Sequence, residues 1–421
     1  MAEIKSTPAE PAEAIVLSRS GHTISRRNID PDALKILFRL NRLGFTAYLT
    51  GGAVRDMLLG KEPKDFDIAT NARPAQVKKY FSNAFIIGRR FRLAHIHFRG
   101  GKIIEVATFR RDPGPDTLDL LSAGTAPQYA FGTPAQDAMR RDITVNALFY
   151  DPVSATLIDH VGGLADLRSR RIRVIGAAGE RFREDPVRIW RVIRYAARMG
   201  FAIDEDLGRE ISAQRHLLCG CSPARLYEEF SKDLLGPQTR NVISGLREHG
   251  VLRLLLGRIG AAFENDPLLI KKVGSLLDIA DLEKSLRHDL GLTEMAALLF
   301  WPWAESLLIG APSDPHTVLK KALLNAEMAV ALPKGLRAQV IDIVALVARM
   351  IRALRTGNMR WSMRGRPQFA MASRLCFLIE QNRAPEAGES FEILFRQAFP
   401  ERPGFGSKRR RRPRKRKPPP Q

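Results

Sequence analysis

Cysteine is scarce in this chain: Cys219, Cys221 and Cys376 are the three in 421 residues. A disulfide framework of the secreted kind is thereby excluded, and a reducing compartment fits. Cys219 and Cys221 lack a second pair to complete a tetrahedral zinc site and read as incidental or buried thiols. Long apolar runs are also missing. The stretches Ala297–Trp303 and Ile341–Ile351 fall short of the roughly 18 residues that suggest a spanning helix. Met1-Ala2-Glu3 opens without the basic-then-apolar pattern of a secretory signal, so a cytoplasmic protein is the expectation. Acidic residues number 45 against 67 basic ones, a formal charge of +22. That excess points to a polyanionic partner, either nucleic acid or an anionic membrane surface.

What is present is globular: 45% apolar and 27% charged residues exclude collagen-like and wholly disordered classes. At roughly 150 residues per domain, the length predicts two or three domains. Residues 1–27, rich in Ala, Pro, Glu and Ser, read as a flexible leader. Asp30 as N-cap, Pro31 at the first position, Leu34, Leu37 and Phe38 on one face and Gly44 at the end predict a helix. Strands are predicted at Thr46–Thr50, Phe66–Ile68, Phe85–Ile87, His95–Phe98 and Ile103–Thr108. From Asp185 on, apolar residues fall at helical spacing, as in Ile189, Val192, Ile193 and Ala196. The expected organisation is α+β: a small mixed sheet over 28–155, helices over 156–235 and 236–400, and a basic tail over 401–421. Breaks are expected at Gly236-Pro237 and at Gly310–Pro315. The tail carries Lys408, Arg409, Arg410, Arg411, Arg412, Arg414, Lys415, Arg416 and Lys417 with no apolar anchor, a composition that stays disordered and binds polyanions by charge.

The sharpest motif is Gly51-Gly52-Ala53-Val54-Arg55-Asp56 after a predicted strand, followed by Asp65-Phe66-Asp67. In an extended strand Asp65 and Asp67 share a face while Phe66 packs behind. Carboxylate oxygens suit Mg²⁺, and two such ions about 3.5–4 Å apart can activate a hydroxyl and stabilise a leaving oxygen in nucleotidyl transfer. The glycines admit phosphate to backbone N–H groups at a helix start. Glu105, inside Ile103–Thr108, reads either as a third carboxylate of that site or as an edge-strand charge facing water. Arg140-Arg141-Asp142 precedes an apolar run. Glu184-Asp185-Pro186 opens a helix whose Arg188, Arg191, Arg194 and Arg198 form a stripe away from the apolar face. Such a stripe is usually solvated, and Asp185 reads equally as an N-cap. Alternatively, Asp185 and Arg188 present acceptors and donors to a base edge while other arginines hold phosphates.

In this order the motifs resemble class II nucleotidyltransferases, the family of bacterial poly(A) polymerases and CCA-adding enzymes. The match spans roughly His22 to Arg198. Gly88-Arg89-Arg90-Phe91-Arg92-Leu93-Ala94-His95, His22-Thr23-Ile24-Ser25-Arg26 and the basic tail are similar to the poly(A) polymerase branch. The resemblance implies a nucleotidyltransferase head, a helical neck and a helical RNA-binding body. It implies ATP as substrate and a two-metal Mg²⁺ site on Asp65 and Asp67, with Glu105 in support and Asp142 at the nucleotide sugar. Gly51, Gly52 and Arg55 would lie near the triphosphate, Arg141 and Arg191 with the nucleotide, and Asp185 and Arg188 at its base.

The implied activity is template-independent addition of AMP to RNA 3′ ends with release of pyrophosphate, in RNA processing or decay. A CCA-adding enzyme shares the same acids. A non-catalytic RNA-binding protein is disfavoured, because clustered carboxylates repel phosphate unless metal is present. Protein partners, RNA-decay or RNA-chaperone proteins among them, and oligomeric state stay open. His288-Asp289 lacks the further ligands of a phosphohydrolase site and reads as a helical surface pair.

Overall fold

The computed structural model describes residues 13–88, 92–111, 130–310, 314–356 and 363–383. These fall into two compact units, one running to Asp233 with Asn241–Gly260, the other Leu234–Arg240 with the residues from Ala261 on. The basic tail, residues 1–12, and Arg89 to Phe91 lie outside the described residues.

Short strands of alternating burial build the first unit around one mixed sheet. They are β1 (Ile15–Leu17), β2 (Ala47–Thr50), β3 (Asp67–Thr70), β4 (Ala84–Ile87), β5 (Leu93–His97), β6 (Ile103–Thr108), β7 (Leu148–Asp151) and β8 (Thr156–Asp159). Their order is β1-β8-β7-β2-β3-β6-β5-β4. Only β3 and β6 pair in parallel within it. Because side chains alternate, Leu49, Ile68, Ala94, Ile96, Ile104 and Val106 share a core with two helices, α1 (Pro31–Arg42) and α3 (Pro74–Tyr80). The opposite face packs Ala69 with Phe109, Ala147 and Phe149. Between β2 and β3 lies the seven-residue α2 (Gly52–Leu58).

The α1 caps are as predicted: Asp30 accepts from the N–H groups of Asp32 and Ala33 at 2.8 and 3.3 Å. Its buried stripe is Ala33, Ile36, Leu37 and Leu40, so the predicted face is off by part of a turn, and Leu34 and Phe38 are only partly buried. Two expectations about boundaries fail. The leader is not flexible up to residue 27: β1 pairs with β8, Ile24 and Ile29 sit in the core, and the His22 ring nitrogen lies 3.0 Å from the Ala155 carbonyl. Three apolar residues in an Ala/Pro/Glu-rich context gave too little periodicity to reveal an edge strand. The sheet also runs past residue 155, since β8 closes a hairpin with β7.

Helices follow: α4 (Pro134–Met139), α5 (Gly163–Ser169), α6 (Ala178–Glu184), α7 (Val187–Met199), α8 (Glu205–Gln214), α9 (Pro223–Leu235), α10 (Thr239–Glu248), α11 (Val251–Leu256) and α12 (Arg258–Asn265). The break at Gly236-Pro237 falls between α9 and α10, as expected. The second unit is helical: α13 (Pro267–Ser285), α14 (Leu292–Leu308), α15 (Pro315–Leu324), α16 (Lys334–Thr356) and α17 (Phe369–Arg383). Here α14 packs on α13 and α16, and α16 on α17. Met295, Leu298, Leu299, Val344, Val347 and Leu375 are buried there. Among the described residues no helix is long and apolar enough to cross a membrane.

One loop fixes the end of the sheet. Buried Asp159 accepts four backbone N–H groups, from Val161, Gly162, Gly163 and Leu164, at 2.9–3.1 Å. A Cβ on Gly163 would stand 2.3 Å from the Thr144 carbonyl oxygen, so glycine alone fits. Replacing Asp159 by Ala strands several buried donors and is expected to lower unfolding stability by roughly 3 kcal/mol, read as a shift in the urea midpoint at unchanged slope.

Candidate active site

A cleft of about 440 Å³ opens on the sheet face that carries Asp67, Glu105 and Thr50. The β2–α2 turn borders it. Gly51 holds φ +73° there, with the Arg141 guanidinium and the Asp67 carboxylate at contact distance from where a Cβ would stand, 3.6 and 3.8 Å. The turn therefore needs glycine for its backbone angle.

Of the acids singled out in the sequence, Asp67, Glu105 and Asp142 line the cleft and Asp65 does not. β3 begins at Asp67, so Asp65 lies in the preceding loop and does not share a strand face with it. Asp65 is not part of the cleft wall, yet its charge reaches Asp67. Phe66 packs against the core as expected. β6 lies inside the sheet beside β3, so Glu105 is on no edge strand; it lines the cleft with its side chain partly open to water. His95, directly across from Glu105 on β5, approaches it to 3.7 Å. Burial under surrounding protein, then repulsion from Glu105 and Asp65, pushes the Asp67 carboxyl up to about 6, with Arg141 only partly offsetting. Among the described residues no three His, Cys, Asp or Glu groups form a complete metal cage. The donor set is nonetheless hard carboxylate oxygen. That fits Mg²⁺, which takes one or two carboxylates and draws its remaining ligands from water and substrate phosphates.

Arginines occupy the rest of the wall: Arg110, Arg140, Arg141 and Arg191. One buried carboxylate orients two of them. Asp137 accepts from Arg140 at 3.0 Å, from two Arg141 nitrogens at 3.0 and 3.2 Å, and from the Arg110 backbone at 3.1 Å. Arg141 also donates to the Asn146 carbonyl at 3.0 Å and lies over the Phe149 ring. Burial, and then repulsion from Arg140, lowers Arg110 from its usual range. Arg55 is absent from the wall; it braces Asn146 at 2.6 Å and Asp56 at 2.8 Å.

Asp142 lines the cleft and takes Arg188 at 3.0 Å on one oxygen and Arg191 at 3.2 Å on the other. The stripe is not solvated but a part-buried ladder, with Arg194 buried and the other three arginines partly so. Arg191 bonds Glu229 at 3.0 and 3.1 Å, Arg194 bonds both Glu229 and Asp233, and Arg198 reaches Asp233 at 3.4 Å. Burial disfavours the charge on Arg191, but Glu229 and Asp142 outweigh it and raise its pKa. Arg194 stays charged likewise, Asp233 and Glu229 overcoming burial. Asp185 stands outside the cleft wall; it accepts from the Val187 N–H at 3.3 Å and pairs with Arg225 at 2.9 Å. Arg188 is outside the wall too, held behind Asp142.

The sequence reading missed Arg110, Asp137, Asn146, Tyr195, Glu229 and Asp233. One signal was available: Glu229 and Asp233 sit four apart on α9, matching the spacing of Arg191, Arg194 and Arg198 on α7.

Residues 47–173 match the Poly A polymerase head domain, and residues 200–260 match a region described as "Probable RNA and SrmB- binding site of polymerase A". Poly(A) polymerase I of Salmonella typhi is 36% identical, covering 96% of this chain and 92% of that one. The CCA-adding enzyme of Bacillus pumilus is 33% identical over 66% of this chain and 68% of its own. Among solved structures, the Bacillus stearothermophilus CCA-adding enzyme in complex with CTP aligns with TM-score 0.59 at 26% identity, covering 88% of this chain and 83% of that one.

The Asp67 shift sets a pH dependence. Its pKa of about 6 lies above the ordinary carboxylate value near 3.9, so ionising it destabilises the fold fully above about pH 6 and not at all below about pH 4. Asp67→Asn is expected to raise the melting temperature at pH 7.5 without divalent ions, with the gain vanishing by pH 4. Magnesium should stabilise the parent protein and not the variant. Scanning fluorimetry across pH checks both, and equal melting curves at pH 7.5 would overturn the electrostatic account.

Proposed function

The chain belongs to the nucleotidyltransferase family of poly(A) polymerases and CCA-adding enzymes, and on that premise we propose that it extends RNA 3′ ends with AMP from ATP, without a template. The carrying observation is one cleft in which two acids, Asp67 and Glu105, face oriented arginines. Acids alone would repel a triphosphate, and arginines alone would bind it without activating anything.

In this reading Asp65 and Asp67 hold the divalent ions, with Glu105 in support. Bound Mg²⁺ supplies a lowered pKa for the RNA 3′-hydroxyl and neutralisation of charge at the transferring phosphorus. Arg110, Arg140 and Arg141 grip the phosphates, the last two held in place by Asp137. Gly51 and Gly52 let the chain approach them closely. Asp142, fixed by Arg188 and Arg191, faces the sugar. Asp185 and Arg188, at the corner behind it, are the readers of the base. No protein nucleophile is needed, because the 3′-hydroxyl attacks directly and pyrophosphate leaves.

Adenylate addition is favoured because likeness to poly(A) polymerase I runs over 96% of the chain, against 66% for the CCA-adding relative. The CCA reading is kept by the shared backbone of the CTP-bound structure. Asp65→Ala and Asp67→Ala should each cut AMP incorporation into an oligo(A) primer by a hundredfold or more, roughly the scale of losing an oriented charge stabiliser, while RNA binding persists. Retained incorporation would defeat the mechanism. Incubation with tRNA lacking its terminus, with CTP and ATP in separate reactions, decides the nucleotide: efficient CTP addition would replace the adenylate reading with the CCA one. The basic tail adds unselective grip, so removing residues 408–417 should flatten the salt dependence of RNA binding by about 0.7 per lost phosphate contact.

A further inference from the structure

Beyond the catalytic acids, the same sheet face ends in exposed aromatic, imidazole and aliphatic side chains that the core does not use. Register aligns them with the cleft. Ile68 on β3 is level with Val106 on β6, Glu105 is opposite His95, and His95 is opposite Phe85. Level side chains on neighbouring strands share a face, so Asp67, Glu105, His95 and Phe85 form one row. At roughly 4.8 Å per strand, three spacings put Phe85 about 14 Å from Asp67.

The row has the chemistry of a stacking surface. Phe85 is 51% exposed and Ile87, on the same face of β4, 44%. The exposed His97 ring meets Phe85 edge-on at 4.9 Å and lies 6.3 Å from His95. Lys78 sets its ammonium 4.9 Å from the Phe85 ring. The core side of β4 and β5 is carried by Ala84, Ala94 and Ile96 instead. Exposed rings beside a cation, in line with the reacting acids, are how proteins hold single-stranded RNA without reading its sequence.

We propose that Phe85, Ile87 and His97 are a stacking platform for the single-stranded 3′-terminal nucleotides of the RNA primer, leading the terminal hydroxyl to Asp67. The proposal rests on the nucleotidyltransferase reading of the cleft. The span holds about four bases at a stacked rise of roughly 3.4 Å. RNA is favoured over a protein strand because these side chains stand on the same sheet face as the acids, whereas a strand partner would take the backbone groups of the β4 edge.

The test compares the full chain with a Phe85→Ala/His97→Ala double variant and with Phe85→Trp. Fluorescence anisotropy with a labelled oligo(A) and no nucleotide should show the double variant binding about tenfold or more weakly, with Phe85→Trp close to the parent. In extension assays the KM for primer should rise by a similar factor while the KM for ATP holds. An oligonucleotide carrying a photoreactive base three positions from its 3′ end should crosslink to the peptide containing Phe85. A double variant that melts at the parent temperature yet keeps parent RNA affinity overturns the platform. If that variant also loses self-association in sedimentation, the row belongs to a second copy of the chain. Should the parent protein extend no RNA with any nucleotide, the activity reading fails, and the anisotropy result still reads the platform separately.

Discussion

A buried arginine must be answered by a carboxylate, and the architecture around the cleft follows from how that requirement is met along α7. Arg188, Arg191, Arg194 and Arg198 are matched in turn by Asp142, Glu229 and Asp233. Removing one member of such a ladder leaves an uncompensated interior charge, a loss of about 3–5 kcal/mol. The pairing does more than hold two helices together. It ends at Asp142, a cleft residue, so the position of that carboxylate is set by acids on α9 that never face the cleft.

The cleft itself follows the opposite rule. Burial first, and then repulsion from Glu105 and Asp65 with Arg141 in partial opposition, raises the pKa of Asp67. Elsewhere carboxylates are satisfied: Asp137 by two arginines, Asp159 by four backbone donors. Acids and arginines that meet in one cleft leave a place suited to a cation and a polyanion together. Ionising Asp67 there costs the fold stability.

Local features of this chain were legible in its residues. The capped start of α1, the glycine turn before α2, the full extent of β6 and the break before α10 each follow from a few neighbouring side chains with strong conformational preferences. Glu105 stood out because a charge inside an apolar strand needs a reason. β1 escaped notice, since three apolar residues carry almost no periodic signal and gain their stability from pairing with β8, well over a hundred residues away.

By itself, then, the order of Gly51-Gly52, Asp65-x-Asp67, Arg140-Arg141-Asp142 and Glu184-Asp185-Pro186 determined the chemistry available to this protein and the family to which it belongs, because turns and short strands are dictated by adjacent residues. Only the tertiary structure decided which charges act. It detached Asp65 from the strand of Asp67, drew the arginine stripe into a part-buried ladder, and made Asp137 the brace for two cleft arginines. Whether a charge is solvated, paired or left over is a sum over neighbours that are distant along the chain, and no local pattern contains that sum.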